Sequence, residues 1–150
     1  MFGMAGMREI REAVGAYAAG FDPALVTAAD AQRIVEDAVA AENMLATLKA
    51  MAARRVSETD QWRKEGDASA AHQLARKSGT SLGTARAALE MAGRLGGLPA
   101  LEAAARRGEV SPAQAAPIAD AASKSPGAEG RLLTTAKAAS LGELLDACAR

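Results

Sequence analysis

The sequence predicts an all-α protein, a multi-helix bundle with one long helix and a helix-turn-helix-like pair. Alanine dominates the 150 residues while aromatics make up only 3%. Alanine has the best helix propensity, and its small side chain lets helices approach closely. Apolar residues recur at alternating three- and four-residue steps, the spacing of one helix face. Val, Ile and Thr are scattered and never form the alternating run of a strand. A chain of this length is expected to form one domain, 1–150, burying roughly 70% of its unfolded surface.

The first piece, residues 1–64, reads as two helices. Met7, Ile10, Val14, Tyr17 and Phe21 mark one face of the first, which Gly20 and the Asp22-Pro23 pair should end. Thr27 offers a cap for the second, with Asp30 in its first turn. This long helix is expected to reach Lys64 before Gly66 stops it. Its stripe is Ile34, Ala38, Ala41, Leu45, Leu48 and Ala52, widened by Met44 and Met51. Such a stripe either packs on the domain's other helices, the expected arrangement, or seats a coiled-coil partner. Trp62 near the end of this piece suits a packing anchor, because a single aromatic is a poor surface for stacking bases.

The second piece, residues 69–95, reads as two short helices and a tight turn, the layout of a helix-turn-helix. Ser69 and Ser81 are placed to cap them, Ala75 is small where the helices cross, and Gly79 supplies positive φ at the turn. Ala85, Ala88, Leu89, Ala92 and Leu95 form the inward face of the second helix. Gly96, Gly97 and Pro99 then break the chain. In the third piece, 98–150, short helices are expected at 99–107, 111–123, 129–138 and 140–150. Ser111-Pro112 opens one of them, Gly108 closes another, and Ser140 with Glu143 suggests a capping box. The last helix stops in mid-pattern, which suggests a fragment of a longer chain.

Charge narrows the function classes. Eighteen basic and eighteen acidic residues give a formal net charge of zero, which argues against binding nucleic acid by bulk charge alone. Residues 51–100 hold eight basic and five acidic side chains, whereas 1–50 hold four and seven, so the positive excess falls on the helix-turn-helix candidate. The lone Cys148 forbids an internal disulfide and suits a reduced, cytoplasmic compartment. Charges at Arg8, Glu9, Arg11 and Glu12 interrupt any signal-peptide core, and no run approaches a membrane span.

Duplex DNA is the partner that the middle piece suggests. In a helix-turn-helix the start of the second helix enters the major groove. There Ser81, Thr84 and Arg86 are hydrogen-bonding types suited to base edges, while Leu82 and Gly83 are not. Arg76, Lys77 and Arg94 are placed to meet phosphates. The competing reading is that Arg86, Glu90 and Arg94, spaced by four, pair along a wet helix face. His72 has no Cys, Asp or Glu at ligand spacing and reads as a surface residue, and Cys148 reads as a small core residue. Glu36, Asp37 and Glu42 point in different directions and read as solvated. No cofactor or metal is expected. The long helix suggests other partners, a homodimer or a downstream domain.

Several pieces in order carry a family likeness. They are Ser69-Ala70 and Leu74-Ala75 before Gly79, then Ala85-Arg86, then Leu98-Pro99. The run Gly108-Glu109-Val110-Ser111-Pro112-Ala113-Gln114-Ala115 follows, then Leu132-Leu133, Ala136, Ser140-Leu141, Glu143-Leu144 and Cys148. In these features residues 62–150 resemble the helical domain of unknown function 222, found in actinobacterial proteins that usually carry an HNH endonuclease domain downstream. Residues 1–61 match only in being helical. The resemblance implies a helical module that accompanies a metal-dependent nuclease. It implies no cutting here, because an HNH site needs at least two histidines and this chain has one.

Overall fold

The computed structural model describes residues 4–150, which form eight α-helices and three short 3-10 turns with no strand among them. They divide into two compact units, Met1–Asp37 and Ala38–Arg150. Among the described residues no helix is long and apolar enough to cross a membrane.

The first unit holds α1 (Met4–Gly20), a 3-10 turn at Pro23–Leu25 and the opening turns of α2 (Ala28–Ser57). Asp22 Oδ1 accepts from the Ala24 N–H at 3.0 Å and fixes the turn. Thr27 Oγ1 accepts from the Asp30 N–H at 3.1 Å, the expected cap. The face expected on α1 forms but is not covered. Met7, Ile10, Val14, Tyr17 and Phe21 are 38–59% exposed. Tyr17 and Phe21 stack on each other with ring centroids 6.1 Å apart.

The second unit contains the rest of α2 and α3 (Ala70–Ser78), α4 (Leu82–Leu95), α5 (Pro99–Arg106), α6 (Pro112–Lys124), α7 (Glu129–Ala138) and α8 (Leu141–Ala149). Helix α6 is central and packs against α4, α5, α7 and α8. Leu95, Leu101, Val110, Ile118, Leu132 and Leu144 are fully buried. Ala104, Ala105, Ala119 and Ala122 fill the spaces between them, so the helices are close-set. Ser111 Oγ accepts from the Gln114 N–H at 3.2 Å, and Gln114 Oε1 accepts from the Ser111 N–H at 2.8 Å. Together they make a complete capping box. The box expected at Ser140 is only half made: Ser140 Oγ caps the Glu143 N–H, but the Glu143 carboxylate turns to the Ser140 hydroxyl, not its N–H.

Two expectations for the long helix are corrected. It ends at Ser57, not Lys64, and a separate 3-10 turn occupies Gln61–Glu65. The Ser57 and Thr59 hydroxyls bond back to the Arg54 and Val56 carbonyls, competing with continued helix. Most of the stripe expected to pack stays on the surface, although Ile34 and Met51 are half-buried and Met51 packs against the core. Leu45 and Leu48 are 38% and 42% exposed, and Ala38, Ala41 and Ala52 are exposed as well. The face that packs runs through Ala40, Asn43, Thr47, Ala50 and Arg54. Asn43 Nδ2 donates to the Gly108 carbonyl at 3.1 Å and Thr47 Oγ1 to the Ala105 carbonyl at 3.2 Å. Arg54 reaches the Leu89 carbonyl at 3.5 Å, its guanidinium lying where a Cβ on Gly93 would sit. Small and polar residues win because α2 passes close to backbone: a Cβ added to Gly108 would stand 2.3 Å from the Ala40 carbonyl oxygen.

Candidate nucleic-acid interface

Helices α3 and α4 form the expected pair. Ser69 Oγ caps α3 by accepting from the His72 N–H at 3.1 Å and lies 2.6 Å from His72 Nδ1. Gly79 adopts φ 66°, as the turn requires. Ser81 Oγ caps α4 by accepting from the Thr84 N–H at 3.0 Å, and its own hydroxyl donates to Thr84 Oγ1 at 2.9 Å. Ala85, Leu89 and Leu95 are buried as expected, and Met91, absent from the expected face, is buried with them.

The charges around the pair are largely spoken for. Arg76 grips Asp67 with two hydrogen bonds, Nε to Oδ1 at 3.0 Å and Nη2 to Oδ2 at 2.8 Å, and also reaches Glu65 at 3.3 Å. Lys77 Nζ lies 2.9 Å from Glu65, which also accepts from Gln73 Nε2 at 2.9 Å. Lys77 and Arg76 hold the Glu65 carboxyl below its ordinary range, and Arg76 does the same for Asp67. Arg94 pairs with Asp120 at 3.3 Å on α6. The alternative in which Arg86, Glu90 and Arg94 pair with one another is not realised, since Arg94 turns to α6. Arg86 and Thr84 are both exposed, and among the described residues Arg86 forms no ion pair. Of the six residues proposed for DNA, three basic ones are therefore neutralised by carboxylates. The Ser81 and Thr84 hydroxyls serve a cap, and Arg86 alone offers an uncommitted charge.

Among the described residues no three His, Cys, Asp or Glu side chains converge on a point where a metal could sit. His72 is exposed, as are Glu36, Asp37 and Glu42. Cys148 is half-buried against the core, and burial pushes its thiol above the ordinary range. Glu109 lies between Arg107 and Lys137, chiefly hydrogen-bonded to Arg107, and its carboxyl is held down at about 2.

Two surface features were not read from the sequence. One is the apolar exposure of α1 and α2. The other is a groove of about 530 Å³ between α2, α4 and α6, walled by Ala46, Ala50, Ala87, Ala88, Ala113 and Ala116. Met91 and Thr47 lie at its buried side, and exposed Lys49 borders it. Pro117 has no N–H to offer the carbonyl of Ala113, which lines the groove. The available signal was alanine at facing positions of three helices, which does not reveal whether the helices close up or leave a gap.

No curated protein and no solved structure matches the chain. A family described as Domain of unknown function (DUF222) matches residues 15–147, so the likeness seen over 62–150 extends back into α1. Covering all but the first 14 and last three residues, this match shows that the chain belongs to the DUF222 family.

Proposed function

We propose that this chain is a helical module without catalytic chemistry of its own, and that it works by docking another protein chain through the apolar faces of α1 and α2. One observation carries this reading. Among the described residues, eleven of the thirteen exposed large apolar side chains lie between Met7 and Leu48. Such an accumulation on one part of a chain marks an interaction surface. Amide exchange tests it. A 17-residue helix with Gly15 in its middle is marginal alone in water. The α1 amides should therefore exchange freely in the dilute chain and gain protection when a partner binds. Protection of α1 equal to that of α6 in the dilute monomer overturns the reading.

A second reading is contact with duplex DNA by α3 and α4, in the service of a nuclease domain of HNH type carried elsewhere in a cytoplasmic parent protein. The exposure of Thr84 and the unpaired Arg86 at the start of α4 favour it. Fluorescence anisotropy with duplex DNA over a salt series is the test. Arg86→Glu should weaken binding and reduce the slope of log affinity against log salt by about one, the loss of one phosphate contact. Unchanged binding in the variant, or no binding at low salt in the parent, removes this reading.

A further inference from the structure

We propose that the exposed stripe of α2 pairs with the same stripe of a second copy, the two helices running antiparallel about a two-fold axis beside Ala46. This rests on the interaction reading above and names the partner for the α2 part of that surface. Register, charge and area argue for it.

The stripe runs through Ala38, Ala41, Leu45, Leu48 and Ala52, at steps of three and four, and all five side chains are exposed. It lies on the opposite side of α2 from Thr47 and Ala50, which are buried. Covering it therefore leaves the core untouched. Laid antiparallel, Leu45 meets Leu48 of the other copy and Ala41 meets Ala52, each twice. Leucines fill the centre of this seam, and alanines let the helices draw together on either side of it.

Charge selects both the partner and the direction. Glu42 and Lys49 flank the stripe on one side, Asp37 and Arg55 on the other. All four are exposed, and among the described residues none of them forms an ion pair. In the antiparallel arrangement Glu42 faces Lys49 of the other copy and Asp37 faces Arg55, again each twice. The two apolar and two charged pairings are all centred within half a residue of position 46, so one axis satisfies them together. A parallel pair would set Asp37 beside Glu42 of the other copy and Arg55 beside Arg55. Helix α1 does not match the same pattern. Its charges, Arg8, Glu9, Arg11 and Glu12, crowd into little more than one turn, whereas those of α2 spread over about 27 Å from Asp37 to Arg55.

Area sets the strength. The stripe and the stems of its flanking charges offer about 400 Å² per copy, about 800 Å² in all. The two halves are one and the same surface, so what one copy offers the other covers. That is the size of a weak, reversible contact, and half-association is expected on the order of 100 μM.

Sedimentation equilibrium on the whole chain, taken up to about 1 mM, tests the proposal. Glu42→Lys turns two attractive pairs into two repulsive ones and should weaken the dimer about tenfold, and Lys49→Glu should do the same. The double variant Glu42→Lys, Lys49→Glu restores every pair with its signs exchanged and should return to within about threefold of the parent. An equal mixture of the two single variants should associate more tightly than either variant with itself. Both positions are exposed, so circular dichroism should report an intact fold. Cross-linking reads the direction. In a Cys148→Ser background under mild oxidation, Ala41→Cys chains should bond to Ala52→Cys chains and not to themselves. A parent chain that is monomeric at about 1 mM overturns the proposal. So does a dimer that ignores the single reversals, one that the double variant fails to recover, or Ala41→Cys chains that cross-link chiefly with one another. Whichever result appears, the exchange rate of the α1 amides decides the interaction reading separately.

Discussion

Replacing Gly108 by alanine tests how α2 is held. Gly108 is buried at φ +73°, and the added Cβ would stand 2.3 Å from the Ala40 carbonyl oxygen and 3.0 Å from its carbon. Positive φ alone costs a non-glycine residue about 1 kcal/mol. The clash is with backbone, so α2 itself must move, an overpacking strain of about 1–3 kcal/mol. Moving α2 stretches the bonds from Asn43 to the Gly108 carbonyl and from Thr47 to the Ala105 carbonyl, worth about 1 kcal/mol each. The sum is about 4–6 kcal/mol, a large share of the roughly 5–15 kcal/mol typical of a domain. Gly79→Ala is the matched control, with φ +66° and nothing within 4 Å of the new Cβ, and should cost only about 1 kcal/mol. Urea unfolding of both variants reads the difference as a fall in midpoint at constant slope. If the two variants lie within about 0.5 kcal/mol of each other, the close approach of α2 is not what glycine serves at position 108.

Other outcomes follow from the same geometry. Gln114→Ala should destabilise more than Ser111→Ala in urea unfolding. The serine loses only the cap, about 1 kcal/mol, whereas the glutamine loses its bond to the Ser111 N–H and its 3.1 Å bond to the Ala136 carbonyl, about 2 kcal/mol together. Thr47→Val should cost only about 1 kcal/mol, because the Ala105 carbonyl keeps the Gly108 N–H at 3.1 Å as a second donor. Carbon-detected NMR should titrate Glu109 with a midpoint of about 2, below its ordinary 4.5. Its folded value is depressed, so its contribution to stability is complete above the ordinary value and is lost as pH falls from there through about 2; Arg107→Gln should move the midpoint upward. Cys148 should react with a maleimide more slowly at neutral pH in the folded chain than in the denatured one, since burial raises its thiol.

Helix starts were legible because they are local. Thr27, Ser69, Ser81, Ser111 and Ser140 each place a hydroxyl on the N–H three residues on. The end of the long helix was less so, because Ser57 and Thr59 stopped it with side-chain bonds that a search for glycine overlooks. Its buried face was misread for a deeper reason. Ile34, Ala38, Ala41, Leu45 and Leu48 alternate steps of four and three, but so do Ala40, Asn43, Thr47, Ala50 and Arg54. Periodicity finds both stripes and cannot choose between them. Close approach to the Gly108 backbone chooses the smaller, more polar one. At the candidate DNA face, residue types were legible but their commitments were not. Asp67 and Arg76 are nine residues apart, and Arg94 finds Asp120 on another helix, pairings that only the assembled fold creates.

The methyl-filled interior around α6 reverses the usual direction of mutational harm. A leucine core fails when side chains are trimmed and vacancies open. Ala105, Ala119 and Ala122 are completely enclosed and have almost nothing to trim, and they surrender no rotamer freedom on folding. They leave no room for growth either. Valine at any of the three would have to push whole helices apart, a rearrangement that flexible neighbours cannot absorb. The chain should thus endure Ala→Gly at these sites better than Ala→Val, even though valine is the more hydrophobic choice.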